Sequence, residues 1–181
     1  VAEAKQSICN SRSFATEIYD IRELSEQIAK FATMTAEKLR KQNTVCQRLT
    51  VFAFTNRFHE NEAQQYGYIT LPFVEPTDST LEIVRTAREA LDEIFVRGMG
   101  YKKAGVIASE IIPREALHVS MFSAEHNERH HRLMEAIDNI NSTAGCEAVT
   151  LASAGRGGPL NRSDYRSPRY TTSWSDIPII K

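Results

Sequence analysis

The sequence has little cysteine and no long hydrophobic run. Its apolar stretches all fall short of the roughly 18–20 residues that a membrane-spanning helix needs, and we expect neither a membrane span nor a signal peptide. The three cysteines, Cys9, Cys46 and Cys146, are far apart and form no CxxC pair. This pattern favours reduced thiols in a cytoplasmic protein over a disulfide framework.

An excess of one charge is also missing. The chain has 22 Lys and Arg against 23 Asp and Glu, a net charge of −1, which argues against a strongly basic nucleic-acid-binding protein. The charges are nevertheless unevenly placed, because residues 78–97 carry five acids against three arginines while strand-like segments carry mainly lysine and arginine. If those segments form one sheet, its basic surface can steer phosphates without a high isoelectric point.

Hydrophobic periodicity predicts six elements in the order β-α-β-β-α-β. Strands, rich in β-branched and aromatic residues, are predicted at 6–14, 45–56, 66–73 and 101–113. Helices are predicted after Asp20, with Glu23 completing a capping box, and after Ser79, with Glu82 in the same role. We therefore expect an α+β fold, in which two helices cover one face of a four-stranded sheet and the other face stays open.

The character of the sequence changes after Pro113. A polar connector holds Met121 and Phe122 side by side, a short helix is predicted from Asn127, and a brief strand at 148–152. The rest lacks periodicity and is too short for a core of its own, so we expect it either to dock on a partner or to move freely. The predicted division is a domain at 1–113, a linker at 114–126 and a small helical and extended region at 127–181.

Small hydroxyls stand beside cations on or next to three predicted strands. The set comprises Ser11, Arg12 and Ser13, then Thr55 and Arg57, then Lys102 and Lys103. Such groups donate hydrogen bonds and positive charge to phosphates without reading bases. Ordinary strand alternation and solubilising edge lysines explain them equally well, so the residues alone leave both interpretations open.

Patterns for catalysis and metal binding are weak. His126 and His130 are one helical turn apart, but Asn127 replaces the glutamate of HExxH and further ligands are not near. Solvated histidines are therefore favoured over a metal site. The glycine-rich stretch AGRGGP lacks the Lys-Ser/Thr of a phosphate-binding loop. We predict no catalytic residue, metal or cofactor in this chain.

An RNA-recognition module has the same order of elements and stacks bases on aromatic residues of its third strand. Of the third predicted strand, Gly67, Tyr68, Leu71 and Phe73 fit that module's pattern, whereas Tyr66, Ile69 and Thr70 do not. The first strand lacks the matching aromatic residue. A single-strand binder that depends on Tyr68 remains a second alternative.

Several stretches resemble the little-finger domain of Y-family translesion DNA polymerases, in the UmuC-type branch. They are SRSF, TAEKLR, ITLPFVEPTDST and YKKAGV, and the ending SPRYTTSWSDIP resembles the carboxy-terminal region of that branch. The agreement runs in the same order over residues 5–181. The resemblance implies a DNA-binding part of an error-prone SOS polymerase, which lays its open sheet face along DNA and grips backbone phosphates. The predicted DNA-binding residues are Ser11, Arg12, Ser13, Thr55, Arg57, Lys102 and Lys103.

The resemblance also implies a clamp-binding peptide. In the family, a short Gln-x-x-Leu-Phe-like peptide after the little finger inserts into the sliding clamp. The matching residues here are His118, Val119, Ser120, Met121 and Phe122. His118 replaces the expected Gln and Met121 the expected Leu. The alternative is a linker whose Phe122 folds back on the domain.

In the family, acidic residues of a catalytic palm bind two Mg²⁺ ions for nucleotidyl transfer. No stretch of this sequence resembles the palm, the fingers or the thumb. We therefore expect a noncatalytic carboxy-terminal part of a DNA-directed DNA polymerase. The implied partners are damaged primer–template DNA, the sliding clamp, a UmuD-type accessory subunit and a RecA-type filament, in the bacterial cytoplasm at the nucleoid. Alternatively, the chain is mainly a recruitment module with little DNA affinity, which its near-neutral charge favours.

Overall fold

The computed structural model describes residues 6–58, 63–117, 124–144 and 148–155, without the side chains of 124–128. The regular elements are β1 (Ser7–Ile18), α1 (Ile21–Lys41), β2 (Thr44–Thr55), β3 (Tyr66–Thr77), α2 (Thr80–Ile94), β4 (Tyr101–Pro113) and α3 (Ala124–Ala144), with short 3-10 helices at Arg114–Ala116 and Ala152–Ala154. The predicted β-α-β-β-α-β order is confirmed. Among the described residues, no helix is long and apolar enough to cross a membrane.

The four strands form one antiparallel sheet in the order β1-β4-β2-β3. Each β-α-β connection therefore skips a strand: β4 lies between β1 and β2, and β2 lies between β4 and β3. The predicted α+β class, with a four-stranded sheet and two helices on one face, is confirmed. Because β1 and β3 are the edges, the central strands β4 and β2 carry most of the core.

The core lies between the sheet and helices α1 and α2. Side chains that alternate along each central strand, such as Val51 and Val106, are fully buried there, as is Leu24 of α1 and Leu91 of α2. Helix α1 begins after Asp20, whose carboxylate accepts a hydrogen bond from the backbone N–H of Arg22 at 2.8 Å. Such a cap satisfies one of the amides that a helix leaves unpaired at its start.

Some local predictions are wrong. The third strand was expected to end at residue 73 but continues to Thr77, and Ser79 makes no capping hydrogen bond through its side chain. Helix α3 begins at Ala124 and has 21 residues, so it is not the short helix expected from Asn127. The strand expected at 148–152 is irregular backbone that ends in a 3-10 helix. The backbone N–H and C=O of Val149 bond to the side chain of Asn141 on α3 rather than to a neighbouring strand.

The described part of the carboxy-terminal region packs on the sheet domain instead of standing apart from it. Helix α3 contributes the buried side chain of Met134, and Ala154 of the second 3-10 helix joins the main core. Arg40 of α1 forms a two-pronged ion pair with Asp138 of α3, with N···O distances of 2.6 and 2.9 Å. The expectation that this region docks only on a partner or moves freely is therefore wrong for 124–144 and 148–155.

Candidate nucleic-acid interface

The face of the sheet opposite α1 and α2, called here the open face, is arranged in four cross-strand rows. Directly paired residues in an antiparallel sheet point to the same side, so the pairing register fixes which side chains share this face. Read from β1 through β4 and β2 to β3, the rows are Ser13–Lys103–Phe54–Tyr66, Ser11–Gly105–Phe52–Tyr68, Cys9–Ile107–Thr50–Thr70 and Ser7–Ser109–Arg48–Pro72.

The charge on these four rows is entirely positive. Lys103 and Arg48 are the ionisable cations, and none of the row positions is Asp or Glu. Arg48 has a nearby carboxylate, because its Nε lies 3.2 Å from Oε1 of Glu110 at the border of the face. Lys103 is exposed and has no carboxylate partner among the described residues. A chain of net charge −1 thus presents one face whose four rows hold cations and no acid, with the carboxylate of Glu110 at the border beside Arg48.

The two halves of the open face differ in chemistry. The β1–β4 half is rich in serine hydroxyls, at Ser7, Ser11, Ser13 and Ser109. The β2–β3 half is aromatic: the rings of Phe52 and Phe54 stack with centroids 5.1 Å apart, and Phe54 lies 5.7 Å from Tyr66. Hydroxyls suit phosphate oxygens, whereas ring faces suit bases or sugars.

Of the three predicted DNA-binding residues on β1, Ser11 and Ser13 lie on the open face, but Arg12 does not. Arg12 pairs with Ala104, which is buried on the helix side, so its exposed side chain lies on the opposite face from the two serines. The expectation that these three neighbours share one surface is wrong, because successive residues of a strand alternate between faces. Whether Arg12 contacts DNA at the sheet edge stays a prediction.

Thr55 is placed in the β2–β3 hairpin rather than on the open face. Its side chain is buried, and its hydroxyl bonds with Gln64 Oε1 at 3.1 Å and accepts from the Gln65 N–H at 3.0 Å. Arg57 is exposed at the same hairpin and stacks over the ring of Phe58, 5.0 Å from its centroid. Thr55 therefore stabilises the hairpin, and Arg57 lies at the end of the sheet.

The two predicted lysines are separated by a β-bulge. Lys103 pairs with Phe54 and Tyr101 with Thr55, so Lys102 is the extra residue in β4. Its ammonium group donates to the carbonyl oxygen of Ala15 on β1 at 2.9 Å. A bulge re-aims its residue away from the alternation of the strand, and here Lys102 ties two strands together while Lys103 stands on the open face.

The predicted clamp-binding residues His118, Val119, Ser120, Met121 and Phe122 lie outside the described residues. The side chain of His126 does as well. Within the described part of the chain, no three His, Cys, Asp or Glu side chains come together as a metal site.

Sequence reasoning missed Arg48, Phe52, Phe54 and Ser109 as members of the open face. The signal was present, because VFAFT at residues 51–55 alternates and places both phenylalanines on the side opposite Val51 and Ala53. Position in the sheet was not readable, since the β2–β3 register shifts between Cys46 and Arg48, where residues 73–76 of β3 face the single residue 47 of β2.

Comparison with known proteins identifies the chain. Residues 5–121 match the C-terminal domain of the impB/mucB/samB family. The chain belongs to this family. Residues 131–180 also match a domain of unknown function, DUF4113. The resemblance to UmuC-type proteins drawn from the sequence motifs is therefore confirmed.

Members of the impB/mucB/samB family are similar to the chain over nearly its whole length. Protein UmuC of Salmonella typhimurium strain LT2 is 31% identical over 99% of this chain and 43% of its own length. Protein SamB of Salmonella typhimurium is 31% identical over 98% and 42%, and Protein MucB of Escherichia coli 30% over 97% and 42%. The chain thus spans less than half the length of these family members.

The solved structures resemble the present chain more distantly. An insertion ternary complex of Dbh DNA polymerase aligns with a TM-score of 0.47 at 16% identity, covering 59% of this chain and 28% of that one. A complex of the beta-clamp processivity factor with the little finger domain of PolIV aligns with a TM-score of 0.42 at 17% identity, covering 64% and 97%.

Proposed function

We propose that the open face grips the phosphate backbone of duplex DNA, and that the chain is the DNA-holding part of an error-prone translesion DNA polymerase. The observation that carries this proposal is the make-up of the four rows: two cations, a set of serine hydroxyls and no acidic residue. Phosphate contacts of this kind give affinity without base discrimination. Such indifference to sequence suits a protein that copies damaged template.

The chemistry of the parent protein is assigned to residues outside this chain. The family members it resembles are more than twice as long, and we propose that a palm binding Mg²⁺ lies in the part of them that the chain does not match. Residues 118–122 are proposed to bind the sliding clamp through Met121 and Phe122, which offer apolar side chains for a hydrophobic pocket. A UmuD-type subunit and a RecA-type filament are proposed partners of the carboxy-terminal region.

Salt dependence of duplex binding tests the grip. Each phosphate contact contributes about 0.9 to the slope of log affinity against log salt, so Lys103→Gln and Arg48→Gln together should lower the slope by about 2. Arg85→Gln is a matched control, because Arg85 is also an exposed arginine facing a glutamate, Glu89 at 3.9 Å, but on α2. If Arg85→Gln lowers the salt slope as much as the double substitution does, the open face is rejected as the site that grips DNA.

Recruitment without DNA binding is the competing function, and the near-neutral charge of the chain favours it. Titration of a sliding clamp with a peptide of residues 116–124, and with its Met121→Ala, Phe122→Ala form, tests this part separately. We expect only the unmodified peptide to bind. Equal binding of the two peptides would remove the clamp-binding proposal while leaving the DNA grip untouched.

A further inference from the structure

The aromatic half of the open face has exposed rings that a phosphate grip does not use. The side chain of Tyr66 is 55% exposed and that of Tyr68 is 72% exposed. Tyr68 has neither a hydrogen bond nor a ring contact among the described residues, although it pairs directly with Phe52 across the strands. Phosphate oxygens make no favourable contact with the face of an aromatic ring. The two tyrosine rings therefore suit a ligand that has a flat apolar surface.

The rings beside Tyr66 are held in place by the sheet. The Phe52 ring reaches over Gly105 of the neighbouring strand: a methyl group on Gly105 would lie 2.8 Å from Cζ of Phe52. Phe52 is only 8% exposed and stacks on Phe54, which in turn contacts Tyr66. A ring supported in this way loses little conformational freedom when a ligand stacks on it.

A cation shares the row with these rings. Lys103 lies two strands from Tyr66, about 10 Å at the usual strand spacing, and its side chain covers part of that distance. A positively charged track beside exposed aromatic side chains is the arrangement that binds single-stranded nucleic acid. The bases of a duplex are already stacked and paired, so the rings can reach only unpaired ones.

We propose that Tyr66 and Tyr68 stack on unpaired bases of single-stranded DNA while Lys103 holds the adjoining backbone. The inference rests on the proposed function, because it assumes that the open face meets DNA, and it adds a second class of ligand to the duplex. The rival occupant is an apolar protein surface, for which fully exposed Val74 on the same strand would be the anchor. The absence of acids from the four rows favours the nucleic acid.

The test compares a labelled oligothymidylate with an abasic oligomer of the same length, titrated with the full chain. The two ligands carry equal charge and differ only in their bases. We expect the base-bearing oligomer to bind more tightly, and Tyr66→Leu or Tyr68→Leu to reduce that preference about fivefold or more, since stacking contributes at least about 1 kcal/mol per base. The salt slope should not change, because the charges do not.

Tyr68→Phe keeps the ring and should keep the preference. Tyr19→Leu is the matched control, because Tyr19 is 57% exposed but lies at the β1–α1 junction, with its hydroxyl on Glu17. If Tyr66→Leu and Tyr68→Leu retain the full preference, the rings belong to a protein-docking surface and the inference is overturned. If the unaltered chain binds both oligomers equally while Lys103→Gln still weakens duplex binding, the inference fails and the grip stands. If the unaltered chain shows no salt-dependent binding to duplex DNA, the proposed function itself is refuted.

Discussion

Replacing Asp138 with Asn should weaken the docking of α3 on the sheet domain. Arg40 is nearly enclosed, with 6% of its side chain exposed, whereas Asp138 retains 25%. Arg40 donates four hydrogen bonds to described residues. Two go to Asp138, and the others go to the carbonyl oxygen of Asp78 at 2.7 Å and the hydroxyl of Thr80 at 2.9 Å. The substitution therefore leaves a buried guanidinium without its carboxylate.

The size of the effect follows from the exposure of the pair. Breaking a fully buried ion pair costs about 3–5 kcal/mol, but water reaches Asp138 and the new amide oxygen still accepts one bond. We therefore expect a loss of about 2 kcal/mol in the docking free energy of α3. Since 1.4 kcal/mol is a factor of ten in an equilibrium constant, the fraction of molecules in which α3 is detached from the sheet domain should rise about 30-fold.

Amide hydrogen exchange measures this opening element by element. Protection of α3 amides should fall about 30-fold in Asp138→Asn, and further in Asp138→Ala, while β2 and β4 keep theirs. Asp92→Asn is the control, because Asp92 is exposed on α2. Unchanged protection of α3, or an equal loss across the sheet, would refute the reasoning that this ion pair docks the helix.

Two further predictions concern the sheet. Gly105→Ala should destabilise the domain by about 1–2 kcal/mol in urea unfolding, since the added methyl would overlap Cβ of Ser11 and the carbonyl oxygen of Asn10 on β1 as well as the Phe52 ring; an unchanged midpoint would show that β1 and the ring both shift without cost. Burial raises the pKa of the Cys46 thiol from its ordinary value of 9.0 to about 12. In a Cys146→Ser chain, only exposed Cys9 should therefore react with a thiol reagent at pH 8. The free energy of unfolding should fall as the pH rises from about 9 towards 12, because the Cys46 thiol loses its proton at a lower pH in the unfolded chain than in the folded one. Rapid labelling of two thiols in the folded chain would contradict the burial.

The sequence predicts the regular elements well because their signals are local. Alternation in residues 45–56 and helical spacing after Asp20 are set by which side chains must leave water. The open face was likewise expected, because the β-α-β-β-α-β order is typical of folds in which both helices lie on one face of the sheet. The same alternation separates Arg12 from Ser11 and Ser13, so that error came from grouping neighbours along a strand rather than from missing information.

Other features of the site depend on contacts between distant residues. The pairing of β4 with both β1 and β2 decides that Ser13, Lys103 and Phe54 stand in one row, and nothing near any of them in the chain encodes it. The bulge that sets Lys102 apart from Lys103 and the shift in β2–β3 register beside Arg48 are equally products of pairing.

By itself, the sequence determined the elements, their order and the family, because periodicity, caps and motifs act over a few residues. Only the tertiary structure decided which residues share the open face, that a glycine on one strand makes room for a ring from the next, and that Arg40 meets Asp138 98 positions away. The reason is physical: side-chain periodicity fixes a face within one element, but the free energy of burying several elements together selects the register between them.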